Sequence, residues 1–331
     1  MTDMRRLPKV ELHLHLDCCL SYAAVQRLAP EVSPEAFARD FIAPPKCRNL
    51  ADYLRTPPRH VALMQDQAGL RLAVEDLFAQ LAADAVLYAE LRFAPLQHTR
   101  GGLSPEQVVT VVADAVAQAS EASGIAARVI LCTLRHFSRE QSLETVRLVE
   151  RFRGAQVAAF DIAGSEAGYP LDAHLPAFQY AREHGLPFTA HAGEGRGPDS
   201  MWETLRLLEP RRIGHGVRSI EDASLVAHLQ ATGVHLEVCP SCNVQTDIVP
   251  AYRDHPVDTL YRQGVSLGIS TDTRTITDVS LTKEYERLRD SFGWDSEQFL
   301  AVNLNALRAA FVEPEVRGKL EERLREGYQQ E

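Results

Sequence analysis

The chain has 331 residues, of which 45% are hydrophobic and 24% are charged, and its formal net charge is −10 at pH 7. Such a composition is typical of a globular protein with a large core, and the negative charge argues against nucleic acid or an anionic membrane as a partner. No apolar run approaches the length of a membrane-spanning helix, and we expect no signal peptide. Six cysteines are too few for a disulfide scaffold in this length, so we expect reduced thiols and a cytoplasmic location.

The first predicted strand, PKVELHLHLD from Pro8 to Asp17, carries two histidines. Side chains two residues apart on a strand point to the same face, so His13 and His15 aim at one point. A single histidine in an apolar strand is usually a hydrogen-bonded packing residue. A pair on one face favours a metal site instead.

An unusually long connection follows, over residues 20–83, with helical patterns interrupted by prolines. From Val61 onward the apolar spacing predicts an amphipathic helix. Because loops at the C-terminal ends of barrel strands build active sites, we expect this segment to be a helical lid. A surface excursion without function is the alternative.

From residue 85 onward, short apolar runs alternate with longer helical patterns, and the repeats lie roughly 23 to 42 residues apart. With the opening strand, they make eight βα units. We therefore predict an α/β fold in one domain over residues 1–331, a closed (β/α)8 TIM-type barrel ending in terminal helices. A doubly wound open sheet is less favoured, since no glycine-rich phosphate motif follows the first strand. The predicted further strands are 85–95, 127–134, 157–164, 187–194, 212–216, 234–241 and 265–272.

Titratable side chains stand at the ends of four predicted strands, and a barrel brings such ends together. Burying them without a metal or a substrate would cost several kcal/mol each. Three imidazoles and one carboxylate suit Zn²⁺, which lowers the pKa of a bound water towards ~7. Glu194 could then pass protons to a substrate, and His215 could orient the attacking water. The residues concerned are His13, His15, Asp17, His191, Glu194, His215 and Asp272.

Five motifs occur in order along the chain, KVELHLHLD, TAHAGE, RIGHG, EVCPSCN and ISTD, with YAELRFAP and DIAG also in place. Together, over roughly Pro8 to Phe311, they closely resemble the adenosine deaminase family of metal-dependent amidohydrolases. The resemblance implies that one Zn²⁺ per chain is held by His13, His15, His191 and Asp272. It implies catalytic roles for Glu194, His215 and Asp272, a ribose contact by Asp17, and a purine contact by the Gly164 backbone.

The resemblance also implies a reaction: hydrolysis of the 6-amino group of adenosine or a related 6-aminopurine nucleoside, giving a 6-oxo purine and ammonia. The expected partner is therefore a small purine compound. Other adenine-bearing metabolites, namely aminodeoxyfutalosine or adenine, are alternative substrates, and a non-catalytic nucleoside-binding protein is a further alternative. Hydrolysis of an amide or ester with two metals is less favoured, because the fourth strand ends Asp161-Ile162-Ala163-Gly164 and has no lysine to bridge them.

Three positions depart from the family pattern. Cys18 replaces a glycine, Ser165 replaces an acid, and Thr273 replaces the second aspartate of a pair that contacts the purine. Thr273 would offer the substrate a neutral hydroxyl, so we expect the 6-aminopurine head to be retained. Because Cys18 and the following Cys19 alter the wall beside Asp17, we expect selectivity at the sugar end to differ from that of ordinary adenosine deaminases.

Two other patterns could suggest metal or redox chemistry. Cys239-Pro240-Ser241-Cys242 has CxxC spacing, but no second pair accompanies it, so we expect structural packing. A cytidine-deaminase type of zinc site needs HxE and PCxxC, whereas this chain has HxxE and CPxC.

Overall fold

The computed structural model describes residues 3–329, which contain eight parallel strands alternating with helices. All eight predicted strands are present, and their ends differ from the predicted ones by a few residues. The fifth and eighth are the most shortened, because their predicted runs continue into the loops that carry polar side chains. The strands are β1 Lys9–His15, β2 Val86–Phe93, β3 Ala126–Leu134, β4 Val157–Ala163, β5 Ala190–Ala192, β6 Arg212–His215, β7 His235–Val238 and β8 Leu267–Ile269.

The strands form two four-stranded sheets, β1 to β4 and β5 to β8, each in sequence order. Backbone hydrogen bonds join the two sheets on both sides. Between β4 and β5, Thr189 N donates to Phe160 O at 3.0 Å. Between β8 and β1, Asp272 N donates to His13 O at 3.0 Å and His15 N donates to Asp272 O at 2.7 Å. The sheet is therefore closed, and the predicted (β/α)8 barrel is confirmed.

Helices surround the barrel and also cover part of its C-terminal end. Many begin at a serine, asparagine or aspartate whose side chain accepts a backbone N–H, as helix N-termini require. Within residues 3–329, no helix is both long and apolar enough to cross a membrane. The helices are α1 Tyr22–Leu28, α2 Pro34–Asp40, α3 Leu50–Tyr53, α4 Pro57–Ala62, α5 Gln67–Ala83, α6 Pro105–Ser123, α7 Arg139–Arg151, α8 Leu175–Glu183, α9 Pro198–Leu208, α10 Ala223–Thr232, α11 Pro240–Gln245, α12 Val257–Arg262, α13 Leu281–Phe292, α14 Ser296–Ala309 and α15 Pro314–Gln329.

The long first connection contains α1 to α5, and one detail of its prediction is wrong. The helix expected from Val61 onward is two helices, because α4 ends at Ala62 and the Asp66 side chain caps a new helix by accepting from Gly69 N at 2.8 Å. Helix α5 packs beside α6 on the outside of the barrel. The part of the connection that reaches the pocket is therefore α3 and α4.

Candidate active site

A cavity of about 390 Å³ opens at the C-terminal ends of the strands, a size within the range of small-molecule sites. Its deep part is formed by buried polar side chains from four strand ends, and its rim by residues after β2 and β3 and by α4. The predicted site residues His15, Asp17, Gly164, His191, Glu194, His215, Asp272 and Thr273 all line it. His13 lies directly behind His15 and His191, with ring centroids 5.3 and 4.5 Å away.

The backbone at two strand ends adopts an unusual conformation that turns a polar side chain into the cavity. His215 has φ of 61° and Asp272 has φ of 64°, in the left-handed region that non-glycine residues seldom occupy. Asp272 is held in place by the two backbone hydrogen bonds that close the barrel, one with His13 and one with His15. Such strain persists only where surrounding structure enforces it, and it is concentrated at functional sites.

Three distances among the polar atoms of four side chains match the spacing of ligands in a tetrahedral metal site. Ligands about 2.0–2.1 Å from one zinc ion lie about 3.3 Å from one another. His13 Nε2 and His15 Nε2 are each 3.3 Å from Asp272 Oδ1. His15 Nε2 is 3.2 Å from His191 Nε2. His13 Nε2 is buried and has no hydrogen-bond partner among the described residues, so these residues fit a divalent ion.

Burial and neighbouring groups shift the pKa values of His15 and Asp272 in the directions that favour metal binding. Burial lowers the pKa of His15 to about 3, so its imidazole is neutral and able to bind a metal. Burial would raise the pKa of Asp272, but its polar contacts with His13 and His15 outweigh burial and hold that pKa well below its usual value. Asp272 is therefore an ionised carboxylate at neutral pH.

His215 also lies close to this group, near enough to be an alternative metal ligand. One nitrogen or oxygen from each of His13, His191, His215 and Asp272 lies within 4.8 Å of the others. His215 Nε2 lies 3.7 Å from Glu194 Oε2. Burial lowers the pKa of His215 well below its usual value, so this imidazole is also neutral.

Two buried carboxylates orient the histidines. His13 Nδ1 is 2.9 Å from Glu237 Oε2, and His191 Nδ1 is 3.2 Å from Asp161 Oδ2. Each carboxylate fixes the Nδ1–H tautomer and leaves Nε2 free for a metal. Gly214 lies between the two rings, where a Cβ would come within 2.8 Å of His13 Cε1. A larger residue there would separate the ligands.

Glu194 is buried beside the candidate metal ligands, and the carboxylate of Glu166 lies behind it. Glu166 accepts hydrogen bonds from Gly193 N at 2.9 Å, Glu194 N at 3.0 Å and Arg196 N at 2.9 Å. Burial, followed by the charges of Asp272 and Glu166, raises the pKa of Glu194 well above its usual value. A raised pKa favours the protonated form of Glu194, which can act as an acid.

The residues expected to contact the substrate lie on three sides of the cavity. Asp17 Oδ2 accepts from Ala94 N at 3.2 Å, which places Asp17 towards the end of β2. Gly164 has φ of 97° and follows β4. Thr273 follows Asp272, and its hydroxyl bonds to Tyr53 Oη of α3 and to Thr277 Oγ1, 2.9 Å away.

The three departures from the family pattern, Cys18, Ser165 and Thr273, all line the cavity. Cys19 does not line it; its thiol donates to His15 O at 2.9 Å and accepts from Arg274 N. All six cysteines are free and buried, and Cys239 and Cys242 pack in a cluster with Cys18, Cys47 and Tyr53.

Sequence reasoning missed several buried charges inside the barrel. Glu237 also accepts from Arg92 Nη2 at 2.6 Å and from Arg212 Nε at 2.7 Å, and Arg92 donates to Asp161 at 2.8 Å. A signal for them was available: each is a charged residue within a short, otherwise apolar strand. A charge in such a strand has to be paired inside the barrel.

Comparisons with known proteins agree with this geometry. The family model described as adenosine deaminase matches residues 8–327. Adenosine deaminase 1 of Streptomyces coelicolor is 35% identical, with 93% of this chain and 84% of the relative covered. The solved adenine deaminase of Arthrobacter aurescens aligns with a TM-score of 0.89 at 26% identity, covering 98% of this chain and 99% of that one. The ADAL protein in complex with IMP gives a TM-score of 0.89 at 25% identity over 99% of both chains.

These matches cover nearly the whole chain and coincide with the motifs around the cavity. The expected resemblance, the barrel and the hydrolase class are confirmed. The chain belongs to the adenosine deaminase family and is a hydrolase that acts on carbon–nitrogen bonds.

Proposed function

We propose that this protein catalyses the metal-dependent hydrolytic deamination of adenosine or a closely related 6-aminopurine nucleoside. The products are the 6-oxo purine and ammonia. One observation carries the proposal: candidate ligands with zinc-like spacing lie beside Glu194, a buried carboxyl group whose pKa is raised, in a nucleoside-sized cavity. This is the set of groups that hydrolysis of an aromatic amine requires.

One Zn²⁺ per chain is proposed, held by His13, His15, His191 and Asp272. When bound, zinc lowers the pKa of the attacking water towards ~7. Glu194 delivers its proton to the ring nitrogen beside the reacting carbon, which makes that carbon more electrophilic. The resulting carboxylate takes one proton from the water and passes it to the departing amino group. As ammonia leaves and the 6-oxo group forms, Glu194 takes the remaining hydroxyl proton, so Glu194 ends protonated. His215 holds the water in line for attack.

The substrate is held by groups at the sides of the cavity. In this proposal, Asp17 accepts hydrogen bonds from the ribose hydroxyls, and the Gly164 backbone contacts the purine. The Thr273 hydroxyl, which is hydrogen-bonded to Tyr53, also contacts the purine ring. The connection over residues 20–83 acts as a lid, because Leu50, Tyr53, Pro57, Pro58 and Val61 line the cavity. Such a cover would exclude water from the reaction. The single domain over 1–331 and the cytoplasmic location stay predictions.

The test is the ultraviolet spectrum of adenosine mixed with the zinc-loaded protein, with deoxyadenosine, adenine and aminodeoxyfutalosine as further substrates. A spectral shift to the 6-oxo purine, with release of one ammonia per purine, is expected. The Glu194→Gln protein should give almost no shift. Binding of adenosine without a spectral change would favour the non-catalytic alternative, and turnover of adenine or aminodeoxyfutalosine alone would replace the nucleoside assignment.

A further inference from the structure

His215 is the last member of a hydrogen-bonded chain that starts at a backbone amide. Val257 N, at the start of α12, donates to His255 Nδ1 at 3.1 Å. A backbone N–H can only donate, so His255 Nδ1 is an acceptor. The neutral His255 ring therefore carries its hydrogen on Nε2. Burial lowers the pKa of His255 to about 3, which agrees with a neutral ring.

The next link fixes the orientation of the Asn243 side chain on α11. His255 Nε2 lies 3.3 Å from Asn243 Oδ1. Because that nitrogen carries the hydrogen, its partner must be the amide oxygen rather than the amide nitrogen. The amide group of Asn243 then points its Nδ2 towards His215, 3.2 Å from His215 Nδ1. Asn243, His255 and His215 are each at most 3% exposed, so bulk water does not compete for these bonds.

The last link sets the tautomer of His215. An amide nitrogen donates only, so His215 Nδ1 has to accept, and the neutral ring carries its hydrogen on Nε2. That nitrogen faces the cavity, on the side of Glu194. A protonated Nε2 has no lone pair for a metal, which leaves His15 as the fourth ligand beside His13, His191 and Asp272.

We propose that Asn243 and His255 are positioning residues that hold His215 as the Nε2–H tautomer, so that His215 donates a hydrogen bond to the attacking water oxygen and does not take its proton. This inference rests on the proposed function. It assigns every proton transfer of the proposed reaction to Glu194, and it gives His215 the role of stabilising negative charge that develops on the oxygen.

The direct test is the tautomer itself, read by two-bond ¹⁵N–¹H NMR correlation on zinc-loaded protein with ¹⁵N-labelled histidine. The His215 signals are assigned by their loss in the His215→Gln protein. A single Nε2–H tautomer is expected in the wild-type protein. An Nδ1–H tautomer, or metal bound at His215 Nε2, would overturn the inference. This readout needs no turnover, so it separates a failure here from a failure of the proposed function.

The matched variant is Asn243→Asp, which keeps the shape but replaces the donor facing His215 with an acceptor. The His255 bond survives, whereas His215 should switch to the Nδ1–H tautomer. We expect kcat to fall roughly 10²-fold or more, with KM changed less than about threefold and zinc retained. Asn305→Asp makes the same change on α14, far from the cavity, and should leave kcat unchanged.

Normal kcat with a switched tautomer would overturn the positioning role. If Asn243→Asp does not fold, the His215 tautomer in the NMR spectrum of the wild-type protein still tests the inference.

Discussion

His13 Nδ1 lies 2.9 Å from Glu237 Oε2 in the interior of the barrel, and both side chains are fully buried. Glu237 comes from the end of β7, on a different sheet from β1. Attraction to Arg212 and Arg92, together with the hydrogen bond to His13, outweighs burial and keeps the pKa of Glu237 well below its usual value. An ionised Glu237 keeps the hydrogen of His13 on Nδ1 and turns Nε2 towards the proposed metal.

Glu237→Gln is therefore expected to weaken zinc binding by roughly 10- to 100-fold, the usual effect of removing a carboxylate that orients a metal-binding histidine. Competition with a chelator of known affinity measures it. The change also removes the negative charge that pairs with Arg92 and Arg212. The urea concentration at the midpoint of unfolding should therefore fall. Glu90→Gln is the matched control, since Glu90 pairs with Arg212 at 2.6 Å but does not contact His13. Equal zinc loss in both variants would show that general destabilisation, not His13 orientation, is the cause.

Removal of one proposed ligand tests the metal site directly. His15→Ala should lose most of its zinc on dialysis, because three remaining ligands form an incomplete site. Elemental analysis per chain is the measurement, with about one zinc expected in the wild-type protein. His228→Ala on α10 is the control, since that imidazole packs beside Trp202 outside the cavity. Full zinc content in His15→Ala would place the metal elsewhere.

The sequence could predict that the candidate ligands lie together because strand periodicity and strand ends are local properties. His13 and His15 share a face by spacing alone, and β-strand order then brings His191, His215 and Asp272 to the same rim. Glu237, Asp161 and Glu166 depend on contacts between distant segments, so no local pattern gave their partners. The break between α4 and α5 was missed because the apolar spacing continues across it, although Asp66 at the N-cap was a usable signal.

Glu194→Gln tests the proton transfers. The amide keeps the shape and the neutrality of the protonated acid but cannot release a proton, so turnover should fall roughly 10²–10⁴-fold or more. Zinc content and thermal stability should stay close to wild type, because no bond to Glu166 involves the Glu194 side chain. Glu322→Gln, on the exposed side of α15, is the control. Near-normal turnover in Glu194→Gln would exclude Glu194 as the proton donor.

Glu284 on α13 gives a pH dependence of stability that is separate from catalysis. Its carboxyl accepts from Ser241 N and from Tyr252 Oη, both at 2.9 Å, and burial raises its pKa from 4.5 to about 7. Below pH 4.5, both the folded and the unfolded states are protonated and the stabilising contribution is complete. Between pH 4.5 and 7, the unfolded state loses its proton first, so the free energy of unfolding falls as the pH rises. The loss is about 1.4 kcal/mol per pH unit, or about 3 kcal/mol in all.

The measurement is the free energy of unfolding in urea for the wild-type and Glu284→Gln proteins between pH 4.5 and 8. Because the side-chain amide of the variant does not titrate, the difference between the two proteins isolates the Glu284 contribution. We expect wild type to lose stability relative to the variant as the pH rises, with no further change above pH 7. A difference that is independent of pH would show that Glu284 is ionised throughout.

Selectivity at the sugar end is expected to depend on Arg100. Arg100 and His136 lie on the exposed rim after β2 and β3, on the same side as Asp17, whereas the acids Asp17, Glu194 and Asp272 lie deeper. Among the described residues lining the cavity, Arg100 is the only lysine or arginine, and it forms no ion pair within residues 3–329. If Asp17 binds the ribose as proposed and the purine amino group reaches the proposed metal ligands, the 5′ end of the substrate is expected at this rim.

Arg100→Gln should therefore lower kcat/KM for adenosine 5′-monophosphate by roughly 10-fold or more, because a hydrogen bond to a charged group contributes about 1.5–3 kcal/mol. The value for adenosine should change less than twofold, since no anion then faces the rim. Arg59→Gln, on α4 but outside the cavity lining, makes the same change in net charge and controls for long-range attraction. Parallel kcat/KM series for adenosine, its 5′-monophosphate and its 5′-carboxylate separate phosphate from general anion recognition. Equal losses for the charged and uncharged substrates in Arg100→Gln would exclude this contact and leave the rim without a role in selectivity.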